Sequence, residues 1–217
     1  MKWINKLERK FPHMAIKNLI YYIVFLNAVI FILILIDDTG SVIPLLELRP
    51  ALVLQGEVWR LISYIFIPPT TSIFFVIFVL YFYYMVGTAL EQEWGAFKFN
   101  LYYLIGMLGT TAGAFIAGGG TTAVYLNMSL FLAFAYLYPN FEILLFLLVP
   151  IKVKYLAWFY WFFIGYTVIT APPASKVAAL VSLANFLLFF GDDIYKNFKR
   201  RQQVSSNRKK FKMFKDD

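Results

Sequence analysis

Four polar side chains lie inside otherwise apolar runs: Asn127 and Ser129 within residues 121–139, and Ser182 and Asn185 within residues 175–191. A serine hydroxyl becomes a nucleophile only when a positioned base takes its proton. The chain of 217 residues has one histidine, His13, far ahead of both serines, and no cysteine. Thiol catalysis, disulfides and iron–sulfur ligation are thereby excluded, and a histidine-built metal site lacks ligands. No cofactor and no metal are expected. His13 has no second histidine or carboxylate cluster beside it and reads as an interfacial bystander. The remaining bases are carboxylates and Lys176, which falls at the edge of an apolar run, where a lysine snorkels to water. Both serines therefore read first as structural groups bonded between helices or back to their own helix, each contributing about 0.6 kcal/mol.

The elements that carry these residues belong to an integral membrane protein. Hydrophobic residues make up 61% of the chain, charged residues 15%, and mean hydropathy is +0.68, far from the values of a soluble domain. A span needs about 20 apolar residues. Six stretches approach that length: 18–36, 71–90, 97–117, 121–139, 153–170 and 175–191. The expected fold is an all-α bundle of six transmembrane helices over 18–191. It is flanked by a basic amphipathic N-terminus at 1–17 and a basic tail at 192–217 that does not fold alone. The fourth stretch, after Gly118-Gly119-Gly120, reads as the central helix, because its alanines, Asn127 and Ser129 suit a helix packed among helices. Small residues at four-residue spacing, Gly109, Gly113 and Ala117 in one stretch and Ala174, Ala178 and Ser182 in another, mark packing seams.

Between the first two spans, residues 37–70 contain Pro44, Pro50, Pro68 and Pro69 and mix apolar with charged residues, the pattern of a half-submerged loop anchored by Trp59. Residues 141–149 are apolar but too short to span before Pro150, so an interfacial or re-entrant piece is expected. With the N-terminus inside, seventeen Lys/Arg fall on the inner side and only Arg49, Arg60 and Lys176 outside. The positive-inside rule then makes both termini cytoplasmic. The N-terminal helix (Trp3, Ile4, Leu7 and Phe11 among lysines) and the nine basic residues from Lys196 to Lys215 point to membrane lipids as partners. Nucleic acid is not an expected partner, since Phe198, Phe211 and Phe214 make a weak stacking set.

The run Gly56-Glu57-Val58-Trp59-Arg60-Leu61 with Phe66, the turn Gly87-Thr88-Ala89-Leu90-Glu91 with Trp94-Gly95, and a central helix ending at Pro139 resemble, in this order, the rhomboid superfamily over residues 15–192. Trp59, Arg60, Gly87 and Glu91 carry the structural part of that resemblance. Active rhomboids cut transmembrane substrates with a serine opening the fourth helix, a histidine on the sixth, and an oxyanion site on the second. In the family's register Val124 stands for the serine, Ala178 for the histidine, and Phe75 and Val79 for the oxyanion groups. The resemblance therefore implies a catalytically inactive, derlin-like pseudoprotease, not an enzyme. It would bind transmembrane helices of client membrane proteins for retention, quality control or trafficking. Candidate client contacts are Asn127, Ser129, Ser182 and Asn185; the competing role of Asn127 and Asn185 is a mutual bond between helices. A divergent intramembrane serine protease with an unrecognised base is the first alternative. A small membrane transporter is the second, weakened because no acidic residue lies deep in a span. The expected location is a bacterial plasma membrane or an endomembrane such as the ER.

Overall fold

Inside a bilayer each peptide group must find its partner within its own segment, so uninterrupted apolar runs become helices. The computed structural model describes residues 2–145 and 149–213. Helix α1 (Lys2–Lys10) precedes α2 (Leu19–Ile36), and three short helices, α3 (Val42–Leu46), α4 (Pro50–Leu54) and α5 (Arg60–Ser63), fold the first connection. Then come α6 (Ile73–Trp94), α7 (Ala96–Ala117) and α8 (Val124–Leu137), an antiparallel hairpin of β1 (Glu142–Leu145) and β2 (Val149–Lys152), and helices α9 (Val153–Thr170) and α10 (Pro173–Met213).

Among the described residues, four helices are long and apolar enough to cross a membrane: α2, α6, α7 and the Ser175–Asn197 part of α10. The chain is thus a mostly helical membrane protein. The other two expected spans are helical but fall short of that standard. α8 has 14 residues, and the 18 residues of α9 are made less apolar by Lys154 and a run of tyrosines and tryptophans.

Close helix seams form where side chains are absent. A Cβ on Gly109 would stand 2.8 Å from Val181 Cγ1, and one on Gly113 3.1 Å from Val177 Cγ1, so α7 and α10 meet along that face. A Cβ on Gly87 of α6 would overlap Ile20 of α2. One turn on, Glu91 Oε1 accepts the backbone N–H of Asn18 at 2.7 Å, holding the residue before α2 in its left-handed conformation at φ 55°. Gly87 and Glu91 together fix the α2–α6 seam.

Two expectations are corrected, and one stretch takes a form that was left open. The short apolar piece at 141–149 enters a hairpin of Glu142–Leu145 and Val149–Lys152, with a Lys152–Glu142 pair at 3.8 Å; residues 146–148 of that stretch lie outside the described residues. The turn between α6 and α7 is confined to Gly95, whose φ of +84° suits glycine, while Glu91 to Trp94 remain helical. The tail expected to be unfolded from residue 192 continues α10 without a break to Met213. No glycine or proline follows Gly191 within that helix, and lysine, arginine and glutamine are good helix formers.

Candidate functional site

The first connection is assembled around Arg60, which is 3% exposed. Its Nε donates to Glu57 Oε2 at 2.6 Å, and Nη1 donates to the carbonyls of Pro44 at 2.6 Å and Glu47 at 2.8 Å. Trp59 Nε1 donates to the Leu45 carbonyl at 3.2 Å, and Ser63 Oγ to the Leu46 carbonyl at 2.8 Å. One short helix thereby satisfies the carbonyls at the end of another. The Trp-Arg pair is a loop-building device. Beyond it, Leu48 and Thr121 exchange backbone hydrogen bonds of 3.2 and 3.0 Å, which strap the connection to the head of α8.

Under that strap is a cavity of about 330 Å³ lined by Glu47, Thr122, Val124, Tyr125, Ser175 and Ala178. Val124 and Ala178 are thus brought to one cavity by α8 and α10. Phe75 and Val79 do not line it: Phe75 is 44% exposed on α6, in an edge-on contact with Phe74. Chemistry at this cavity would need a base. Lys176 Nζ donates to the Ile169 carbonyl at 3.2 Å, and the Glu47 carboxylate is held by Arg49 at 3.0 Å. No hydrogen bond among the described residues joins Glu47 to the hydroxyls of Thr121, Thr122 or Ser175. Glu47 also fills the space beside Gly120, where a Cβ would stand 2.6 Å from its Oε1.

The four polar candidates separate into different surroundings. Ser129 and Asn185 are bonded to each other, Asn185 Nδ2 donating to Ser129 Oγ at 3.2 Å. The Tyr102 hydroxyl completes this buried knot, bonding Ser129 Oγ and donating to the Ser129 carbonyl at 2.9 Å. Ser182 bonds the Tyr160 hydroxyl at 3.2 Å, joining α10 to α9. Asn127 takes no part in either pair. It lines a groove of about 400 Å³ bounded by Phe78 and Tyr83 of α6, Phe131 of α8, and Phe159 and Phe163 of α9. Asn127 and Asn185 therefore do not form the mutual bond that was the alternative for them. Tyr102, Tyr160 and Glu47 were missed from sequence. A tyrosine counts as apolar in a hydropathy pattern, and only its spacing four residues before Gly106 marks Tyr102 as facing a close helix contact.

Known proteins bear on this geometry. Residues 17–119 match a family described as eukaryotic integral membrane protein (DUF1751). The chain is 29% identical over 120 residues to "Rhomboid-like protease 1" of Toxoplasma gondii, a match covering 51% of this chain and 40% of that protein. The chain thus spans about two fifths of the length of that curated relative. The two comparisons support a rhomboid-like membrane protein.

Proposed function

We propose that this rhomboid-like membrane protein is a pseudoprotease: it holds transmembrane segments of client membrane proteins in the groove between α6 and α9 and does not cut them. The observation that carries this is the cavity at the head of α8, where Val124 and Ala178 face one another's space and the nearby carboxylate is engaged by Arg49. Nucleophile, base and oxyanion donors each contribute large rate factors, and among the described residues no hydrogen bond couples the hydroxyls of Thr122 or Ser175 in this cavity to the Glu47 carboxylate as a base. The groove offers what binding needs instead. Its walls are aromatic, and Asn127, whose side chain shares a hydrogen bond with the Tyr83 hydroxyl, has amide capacity left to bond a polar or helix-breaking residue of a client helix. The proposal includes six crossings, with α8 and α9 as the fourth and fifth, and both termini cytoplasmic, as the distribution of lysine and arginine favours. A chain without cysteine is a ready background for single-cysteine accessibility tests of that topology.

The test uses the full chain in liposomes with a fluorescent transmembrane substrate, beside an active rhomboid. Expected are no cleavage and photo-crosslinks to the substrate helix from Phe159, with none from Ile116, which is 80% exposed on α7 away from the groove. Cleavage abolished by Ser129→Ala or Ser182→Ala overturns the proposal in favour of a divergent protease.

A further inference from the structure

The end of the bundle that carries α1 holds a cavity unrelated to the groove, of about 250 Å³. Its floor is apolar and aromatic, made by Ile4, Trp94, Phe189 and Phe190. Ile4 is 2% exposed, so α1 is a wall of this cavity and not a loose appendage. Two opposite charges stand on the rim, Lys98 and Asp193. Among the described residues they do not pair with each other. Lys98 Nζ has one distant partner, Glu8 at 3.7 Å, with the two side chains 34% and 39% exposed. The Asp193 carboxylate has no hydrogen bond or ion pair within the described residues. Lys98 lies in the first turn of α7 and Asp193 just after Gly191, where the apolar stretch of α10 gives way to charge. Both positions correspond to the depth of lipid headgroups.

We propose that this cavity binds one zwitterionic phospholipid that carries a primary amine, its phosphate on Lys98, its ammonium on Asp193, and the start of its acyl chains over Phe189, Phe190 and Ile4. Each part of the cavity selects. A lipid whose headgroup has no amine offers the same phosphate to Lys98 but leaves the Asp193 carboxylate without a cation. A soluble phosphoamine leaves the aromatic floor uncovered. Glu8 competes with the phosphate for Lys98, so the lipid and the α1–α7 ion pair exclude one another.

The test is native mass spectrometry of the full chain, delipidated in detergent and offered phosphatidylethanolamine, phosphatidylglycerol or free O-phosphoethanolamine. Wild type retains one phosphatidylethanolamine about tenfold better than phosphatidylglycerol, the size expected from one charge-assisted contact. Lys98→Gln lowers that retention about tenfold. Asp193→Asn abolishes the preference between the two lipids, and Glu8→Gln tightens phosphatidylethanolamine, a gain that misfolding does not produce. Equal retention of the two lipids by wild type, or an unchanged preference in Asp193→Asn, overturns the proposal. Binding of O-phosphoethanolamine as tight as that of the whole lipid overturns the role of the floor.

Discussion

Around Arg60 the guanidinium, the Glu57 carboxylate and the carbonyls of Pro44 and Glu47 converge within 2.6 to 2.8 Å. Across the Leu48–Thr121 strap, the cavity at the head of α8 is lined by Val124 and Ala178 beside Thr122, Ser175 and Glu47. The first region is a network in which each polar group is satisfied by another, so the loss of one leaves several unsatisfied. In the second, no hydrogen bond among the described residues joins the Glu47 carboxylate to the hydroxyls of Thr122 or Ser175. The contrast separates the residues that hold the loop in place from most of those that line the cavity.

The sharpest way to break this comparison is at Arg60. Arg60→Leu leaves Glu57 and two carbonyls without their donor and should cost about 3 kcal/mol, as removal of one member of a buried pair does. Thermal unfolding in detergent, followed by tryptophan fluorescence, reads the loss. Arg60→Lys should recover only part of it, because an ammonium does not reproduce the fork that spans Glu57 and Pro44. If Arg60→Leu melts like wild type, the frame does not depend on this network.

A second substitution tests the frame at a distance from the loop. Gly87→Val drives a branched side chain into Ile20 and should destabilise by about 1–3 kcal/mol, the usual range for overpacking. Ile20→Ala in the same chain should restore part of that loss, giving a non-additive double-mutant cycle. Additive effects would mean that the two helices separate instead of sharing one contact.

The cavity should respond otherwise. Val124→Ser combined with Ala178→His enters a cavity of about 330 Å³ and should change stability by less than about 1 kcal/mol, with no gain of cleavage in the liposome assay. A serine and a histidine placed there gain no side-chain oxyanion donor from positions 75 and 79, which do not line the cavity. Cleavage by this double variant would show that the region has kept more of its chemistry than its side chains display.

The frame was the more legible of the two regions in the sequence. Gly87 and Glu91 stood out in the sequence as structural residues of a turn; the structure keeps them on one helix face, where both serve the α2–α6 seam. What hydropathy does not encode is which neighbour a buried polar group meets. Asn127 and Ser129 are two positions apart and so point to different sides of α8, a consequence of helical geometry that treating them as one cluster overlooked. Asn185 was placed correctly as interior, yet its partner is the Ser129 hydroxyl beside Tyr102, because tyrosine carries its polar atom at the end of an apolar ring. The strands Glu142–Leu145 and Val149–Lys152 were left without an assigned form because a short apolar run has no period that separates strand from helix. The helical tail was missed because charge was weighed above helix propensity.

The smallest effect expected is one of pH, and it again distinguishes the two regions. Asp37 closes α2, and the Thr39 hydroxyl, then the Val42 N–H at 2.9 Å, hold its carboxyl below the usual range, at about 2 against an ordinary 3.8. A depressed carboxylate stabilises the fold above its unfolded pKa and loses that contribution as pH falls through its folded pKa. The melting temperature should therefore be flat from neutral pH to about 5 and decline between 3.8 and about 2. In Asp37→Asn the decline should be shallower, since the titrating group is gone while one acceptor for Thr39 remains. Val124→Ser alone should show the wild-type acid limb, because serine, like valine, does not titrate in this range. If Asp37→Asn leaves that limb unchanged, the acid sensitivity does not come from the carboxylate that closes α2, and pH does not distinguish the two regions.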